Sequence, residues 1–293
     1  MKPGQFTYHA PRELGEALEL LQEFGDEAKV LAGGQSLMPM LNFRLARVDH
    51  LVDINRLGGR LGEPRFDAGT ITIPALVRQR QLERSEETAR VLPVLTEALR
   101  QVAHPQIRNR GTICGSLAHA DPAAELPSVL SVLDATFTLV SARGTRTVAA
   151  ADFFLFHLTT VLEPDEILLE VSVRRPPPNQ FSAFREFATR RGDFALAGVA
   201  ALCEVDGDGV VTECRIAAAG VAPVPQRLRA VEGLVTGSRL GETSASEIAD
   251  AARAEVEPTS DIHASATYRS RLTGVLVNRA LVDIRTKQEA AHA

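Results

Sequence analysis

Arg108-Asn109-Arg110-Gly111-Thr112-Ile113-Cys114-Gly115-Ser116 is the stretch on which the fold turns. It has a distant echo in Leu31-Ala32-Gly33-Gly34-Gln35-Ser36. Both are short glycine-bearing turns with small hydroxyl or amide residues. Glycine lets the backbone approach a ligand closely, and hydroxyls with free backbone N–H groups suit phosphate oxygens. One such turn says little. Two in one domain-sized stretch can grip the two phosphates of a dinucleotide from opposite sides.

Working outward, residues 11–24 read as an amphipathic helix, with Leu14, Ala17, Leu18, Leu21 and Phe24 on one stripe and Gly25 as its stop. A strand over 29–32 delivers the first glycine turn, and another follows at 50–54. Residues 69–73 read as a strand, and Pro74 is expected to open a helix through Leu82. A further helix is expected over 93–102, and Leu126, Val129, Leu130 and Leu133 mark the next. Strands are expected at 136–140, 146–148 and 167–173, the last with Ile167, Leu169, Val171 and Val173 on one side. The run Arg174-Arg175-Pro176-Pro177-Pro178-Asn179 cannot continue a ladder and reads as a domain boundary. Beyond it come segments 181–188 and 195–205, a turn at 206–209 and a strand through 219. The end is helical: Ser244 and Glu247 have the spacing of a capping box, 267–285 is expected as the last helix, and the tail after Thr286 is expected to fray.

The bulk numbers narrow the function. With 293 residues, 45% of them hydrophobic, the chain has room for about two domains with real cores. A net charge of −5 without a basic run argues against nucleic acid. No signal peptide or membrane-spanning run is evident, so the expected location is cytoplasmic. The three cysteines, Cys114, Cys203 and Cys214, contain no C-x-x-C pair. That argues against an iron–sulfur cluster or structural zinc within this chain. There is no G-x-G-x-x-G, hence no support for a Rossmann site. His104 and His119 flank the motif without a carboxylate at triad spacing, and Asp121 and Glu125 suit the start of a helix as well as an acidic pair.

Ala32 to Ser36 followed by Leu37-Met38-Pro39-Met40, the Arg108–Ser116 stretch, Asp121-Pro122-Ala123-Ala124-Glu125-Leu126-Pro127, Arg190 to Ala195 and His263 to Arg269 together resemble the FAD-binding medium subunit of molybdenum hydroxylases, the family of carbon monoxide, xanthine and aldehyde dehydrogenases. The resemblance implies an α+β fold: a two-subdomain FAD-binding domain of the vanillyl-alcohol-oxidase (PCMH) type over 1–176, with subdomains of about 1–56 and 57–176. A C-terminal domain of antiparallel sheet with helices would span 177–288. It implies FAD as cofactor, a small [2Fe-2S] subunit and a large molybdenum-cofactor subunit as partners, and NAD, quinone or oxygen as external acceptor.

Carried over by position, the FAD contacts would be Ala32, Gly33, Gly34, Gln35, Ser36 and Leu37 with Thr112, Ile113, Cys114, Gly115 and Ser116 around the diphosphate. Glu125 would lie near the ribityl or adenosine region, Leu168 and Arg185 would be apolar and basic flavin contacts, and Phe194 would cover the ring. A cation such as Arg185 near N1 would raise the flavin potential. The flavin carries the redox chemistry, so no catalytic acid, nucleophile or metal is expected of the chain itself. Cys114 stands where the family usually has glycine. Either the site tolerates a small residue, or the loop shifts and weakens binding, or the thiol is reactive. Two other readings remain open at this point: a self-sufficient FAD-dependent oxidoreductase with its own small substrate, and a scaffold that has lost the cofactor.

Overall fold

The computed structural model describes residues 2–291, and the chain divides into two compact units. The first comprises the chain up to Leu82 with His104–Ala120 and Ala135–Arg174; the second comprises Glu83–Ala103, Asp121–Asp134 and the chain from Arg175 onward. Segments on both sides of the second glycine loop thus pack with the C-terminal part. Among the described residues no helix is long and apolar enough to cross a membrane.

The first unit holds two sheets. In the smaller, His50–Asp53 lies between Thr7–His9 and Ala28–Leu31, parallel to both. Parallel strands need crossover connections, and the helix Leu14–Phe24 carries the chain from one outer strand, Thr7–His9, to the other, Ala28–Leu31, burying Ala17, Leu18 and Leu21. Its carboxy-terminal stop is Gly25, at φ +47°, whose N–H returns to Leu21 O. The larger sheet runs Arg65–Phe66, Thr70–Pro74, Ile167–Arg174, Thr136–Ser141, Gly144–Ala149, antiparallel throughout.

Two expectations for this unit change. Pro74 closes a strand rather than opening a helix: it pairs with Glu170, Ala75 N–H donates to Leu169 O at 2.8 Å, and the helix starts only at Gln79. The alternation from Ile167 to Val173 is broken by a bulge between Leu168 and Glu170, which leaves Leu169 without an opposite residue on Thr136–Ser141.

The second unit is built on an antiparallel sheet, Gln180–Ala188, Ala195–Val205, Val211–Ala219 and Gln226–Arg227. Its central strand is buried almost throughout. The helices Arg229–Val235, Ala245–Ala254 and Ala266–Ala291 cover Val199, Ala201, Cys203 and Ile216 with Val231, Ile248, Leu276 and Ile284. Ser244 Oγ accepts from Glu247 N–H, as the sequence pattern suggested. The last helix does not fray after Thr286: it runs on through Ala291, and Lys287 Nζ bridges Glu97 and Ser182 O, both at 2.6 Å.

Candidate functional site: two glycine loops in one unit

Strand Ala28–Leu31 delivers the first loop, residues 32–36, from its C-terminal end, and the short helix Leu37–Asn42 follows. The second loop leaves the helical turn Pro105–Arg108 and becomes the helix Ile113–His119. The two loops touch. A Cβ on Gly33 would lie 2.5 Å from Arg110 O and 2.8 Å from Gly111 Cα, so only glycine allows this approach. Gly34 has φ +71°, a left-handed conformation that costs an L side chain about 1–2 kcal/mol.

The polar groups of the first loop are sorted by face. Its first two carbonyls are tied back: Asn55 Nδ2 donates to Ala32 O at 2.8 Å and Gln35 Nε2 to Gly33 O at 3.0 Å. Its amides are not: among the described residues no hydrogen bond takes the N–H of Gly34, Gln35 or Ser36. Thr112 is the N-cap of the second loop's helix, its Oγ accepting from Gly115 N–H at 3.0 Å. A Cβ on Gly115 would sit 2.7 Å from Thr112 Oγ, so a larger residue there would make the capping side chain shift. A close backbone approach with a cluster of unspent N–H donors fits a dinucleotide diphosphate.

Cys114 is not in a strained position. It lies within the helix Ile113–His119, outside the positive-φ residues, and is 3% exposed. Its Sγ is 3.6 Å from Ile73 O, inside the larger sheet's core. Burial pushes the thiol well up, with the Glu170 charge adding to it. A buried, protonated thiol is a poor nucleophile. The side chain therefore acts as a small core residue.

Ile113 and Leu168 are likewise buried, and the Ile113 N–H is donated to Val77 O at 3.3 Å. Ser116 is partly exposed in the first turn of its helix. In the second unit, Glu125 is the first residue of the helix Glu125–Val132, preceded by an Asx turn in which Asp121 Oδ1 accepts from Ala123 N–H. Phe194 is 73% exposed just before strand Ala195–Val205. Arg185 is bound at two points by Asp283 of the long helix, with Nη2 to Oδ1 at 2.7 Å. That hydrogen-bonded partner raises the guanidinium further. The sequence reading missed Asn55, Arg78 and Asp283, none of which lies in a glycine-bearing motif.

The first unit thus defines a dinucleotide-binding α+β protein of non-Rossmann type. The description "FAD binding domain in molybdopterin dehydrogenase" matches residues 4–176, and "CO dehydrogenase flavoprotein C-terminal domain" matches residues 182–284. The chain is 42% identical over 281 residues to the 6-hydroxypseudooxynicotine dehydrogenase complex subunit alpha of Paenarthrobacter nicotinovorans, covering 96% of this chain and 95% of that one. It is 38% identical to the carbon monoxide dehydrogenase medium chain of Hydrogenophaga pseudoflava, covering 96% and 97%. Solved structures of carbon monoxide dehydrogenase from Hydrogenophaga pseudoflava and quinoline 2-oxidoreductase from Pseudomonas putida 86 superpose with TM-scores of 0.93 and 0.92 at 38% and 35% identity, each over 98% of this chain and 99% of the other. The chain belongs to the family of FAD-binding medium subunits of the molybdenum hydroxylases, which are FAD-dependent oxidoreductases.

Proposed function

We propose that the chain is the electron-exit subunit of a three-subunit molybdenum hydroxylase. It receives electrons from the [2Fe-2S] clusters of a small partner subunit and passes them to an external acceptor: NAD, quinone or oxygen. Substrate oxidation belongs to a large molybdenum-cofactor subunit, and the assembly works in the cytoplasm. The observation that carries this reading is the backbone contact of Gly33 with Arg110 and Gly111, which joins both glycine loops in one unit.

When bound, FAD supplies a redox centre that exchanges electrons singly or in pairs. The chain's part is to hold and shield it. Residues Ala32, Gly33, Gly34, Gln35, Ser36 and Leu37, with Thr112, Ile113, Cys114, Gly115 and Ser116, surround the diphosphate, which the free amides of the first loop and the Ser36 and Ser116 hydroxyls hold. Glu125 takes a ribityl or adenosine hydroxyl, Leu168 and Arg185 serve the flavin, and exposed Phe194 covers the ring against bulky acceptors. Of these residues, Arg185 and Phe194 belong to the domain 177–288 and the rest to the domain 1–176.

The test is native purification with mass spectrometry and an absorption spectrum. The expected result is a yellow complex containing iron–sulfur and molybdenum subunits. A chain that stays colourless after incubation with FAD, or a yellow chain that turns over a substrate alone, would defeat the proposal.

A further inference from the structure

Outside both glycine loops, a line of polar side chains runs from one loop to the other. Asn55, just beyond strand His50–Asp53, donates from Nδ2 to Ala32 O at 2.8 Å and to Asp53 Oδ1 at 2.5 Å. Arg78, just before the helix Gln79–Arg84, donates from Nη2 to Asn55 Oδ1 at 2.6 Å and from Nη1 to Arg110 O at 2.5 Å. Asp53 is fixed in turn by Tyr8 Oη at 2.5 Å and by Asn55 N–H at 2.8 Å. Two side chains, Asn55 and Arg78, therefore complete a path from Ala32 O to Arg110 O.

We propose that Asn55 and Arg78 are positioning residues for the dinucleotide, holding the two loops at one separation and turning the amides of the first loop toward the ligand. The proposal rests on the reading that these loops seat FAD. In a trans peptide the C=O and the following N–H point in opposite directions. Fixing Ala32 O on Asn55 therefore directs Gly33 N–H away from Asn55. Gln35 does the same one residue on, holding Gly33 O and so directing Gly34 N–H outward. With two consecutive carbonyls tied back, the face left to a ligand is the amide face, which is what an anionic diphosphate requires.

The residue types match the task. Arg78 serves two acceptors on two segments at once, which the planar guanidinium fork does and a lysine ammonium on a flexible stem does poorly. Asn55 needs a donor for Ala32 O and an acceptor for Arg78, and an amide offers both. Arg78 is committed to protein acceptors, so it acts through the loops rather than as a phosphate ligand. Tying the loops before binding removes an ordering cost that would otherwise weaken affinity.

The test uses the full chain freed of FAD and titrated with FAD by flavin fluorescence, with the unfolding midpoint of the FAD-free protein measured alongside. Arg78→Lys and Asn55→Ala are each expected to weaken FAD roughly tenfold, the effect of losing one well-placed hydrogen bond, while the FAD-free midpoint stays close to wild type. The double variant is expected to be little weaker than the worse single one, because both residues act along one path. The bound flavin should also lose fine structure in its visible band. If Asn55→Ala fails to fold, Asn55→Asp is used: it keeps the acceptor for Arg78 and loses the amide donor to Ala32. Affinities within twofold of wild type in both single variants, with Gly33→Ala still weakening binding at least tenfold, would overturn the proposal while leaving the seat of FAD intact. Unchanged affinity in Gly33→Ala as well would place FAD elsewhere and overturn the underlying reading. Additive losses that track a falling FAD-free midpoint would assign both residues to general stability and overturn the positioning role.

Discussion

Gly33 and Arg110 are in backbone contact: a Cβ on Gly33 would lie 2.5 Å from the Arg110 carbonyl oxygen. No side chain can swing aside here, because the opposing atoms are main chain. Gly33→Ala must push the loops apart. The expected outcome is a loss of about 1–3 kcal/mol of folding stability, the usual cost of overpacking, and at least a tenfold loss of FAD affinity. Urea denaturation and flavin-fluorescence titration measure the two.

Cys114 gives the opposite prediction for FAD. Its Sγ faces Ile73 O in the core, away from the amides of its own loop. Cys114→Gly should keep FAD affinity within about threefold, yet lose roughly 1–3 kcal/mol of stability from a helical glycine and a small cavity. In the native wild-type protein, burial holds the Cys114 thiol protonated, and the hydrogen bond with Cys203 together with burial does the same for Cys214. A thiol reagent should therefore modify neither until the chain is denatured. Rapid labelling of Cys114 in the folded protein would restore the reactive-thiol reading.

Glu186 sets a pH dependence. It lies opposite Gly198 in the second unit's sheet, with Oε2 buried and, among the described residues, without a hydrogen-bond partner. Burial pushes its carboxyl from 4.5 up to about 7. The folded state therefore holds this proton more tightly than the unfolded state. The contribution to stability is fully present below about pH 4.5 and is lost as pH rises through 7. Glu186→Gln should flatten that decline and stabilise the protein at pH 8 by up to about 3 kcal/mol, one pKa unit being worth about 1.4 kcal/mol. Urea denaturation at pH 5 and pH 8 is the measurement; an equal effect at both would contradict it.

Arg185 and Asp283 allow the flavin's electrostatics to be tested. Their pair is partly exposed, so Asp283→Asn should cost less than about 1 kcal/mol. If Arg185 is the basic flavin contact, freeing it from its counter-ion should raise the flavin reduction potential, and Arg185→Gln should lower it. Redox titration of the bound flavin reads both; unchanged potentials would remove Arg185 from the flavin's surroundings.

Local pattern marked most of the elements. The apolar stripe from Leu14 to Phe24, the strand with Ile71 and Ile73, the triple-proline break and the Ser244 cap all act over a few residues. The sequence also showed that the glycine loops existed, because glycine with small polar neighbours is a local signature. It did not show that Pro74 ends a strand, since that depends on pairing with Glu170, nor that helix Ala266–Ala291 persists past Thr286, since Lys287 finds its partners on other elements.

The sequence by itself determined the family, the cofactor and the two loops, for these rest on residue types at short spacing. Only the tertiary structure decided that Gly33 meets Arg110, that Cys114 points into the core, and that Asn55 and Arg78 link the loops. Those relations join residues remote in the chain, and their hydrogen bonds exist only once the sheets have brought the donors and acceptors within reach.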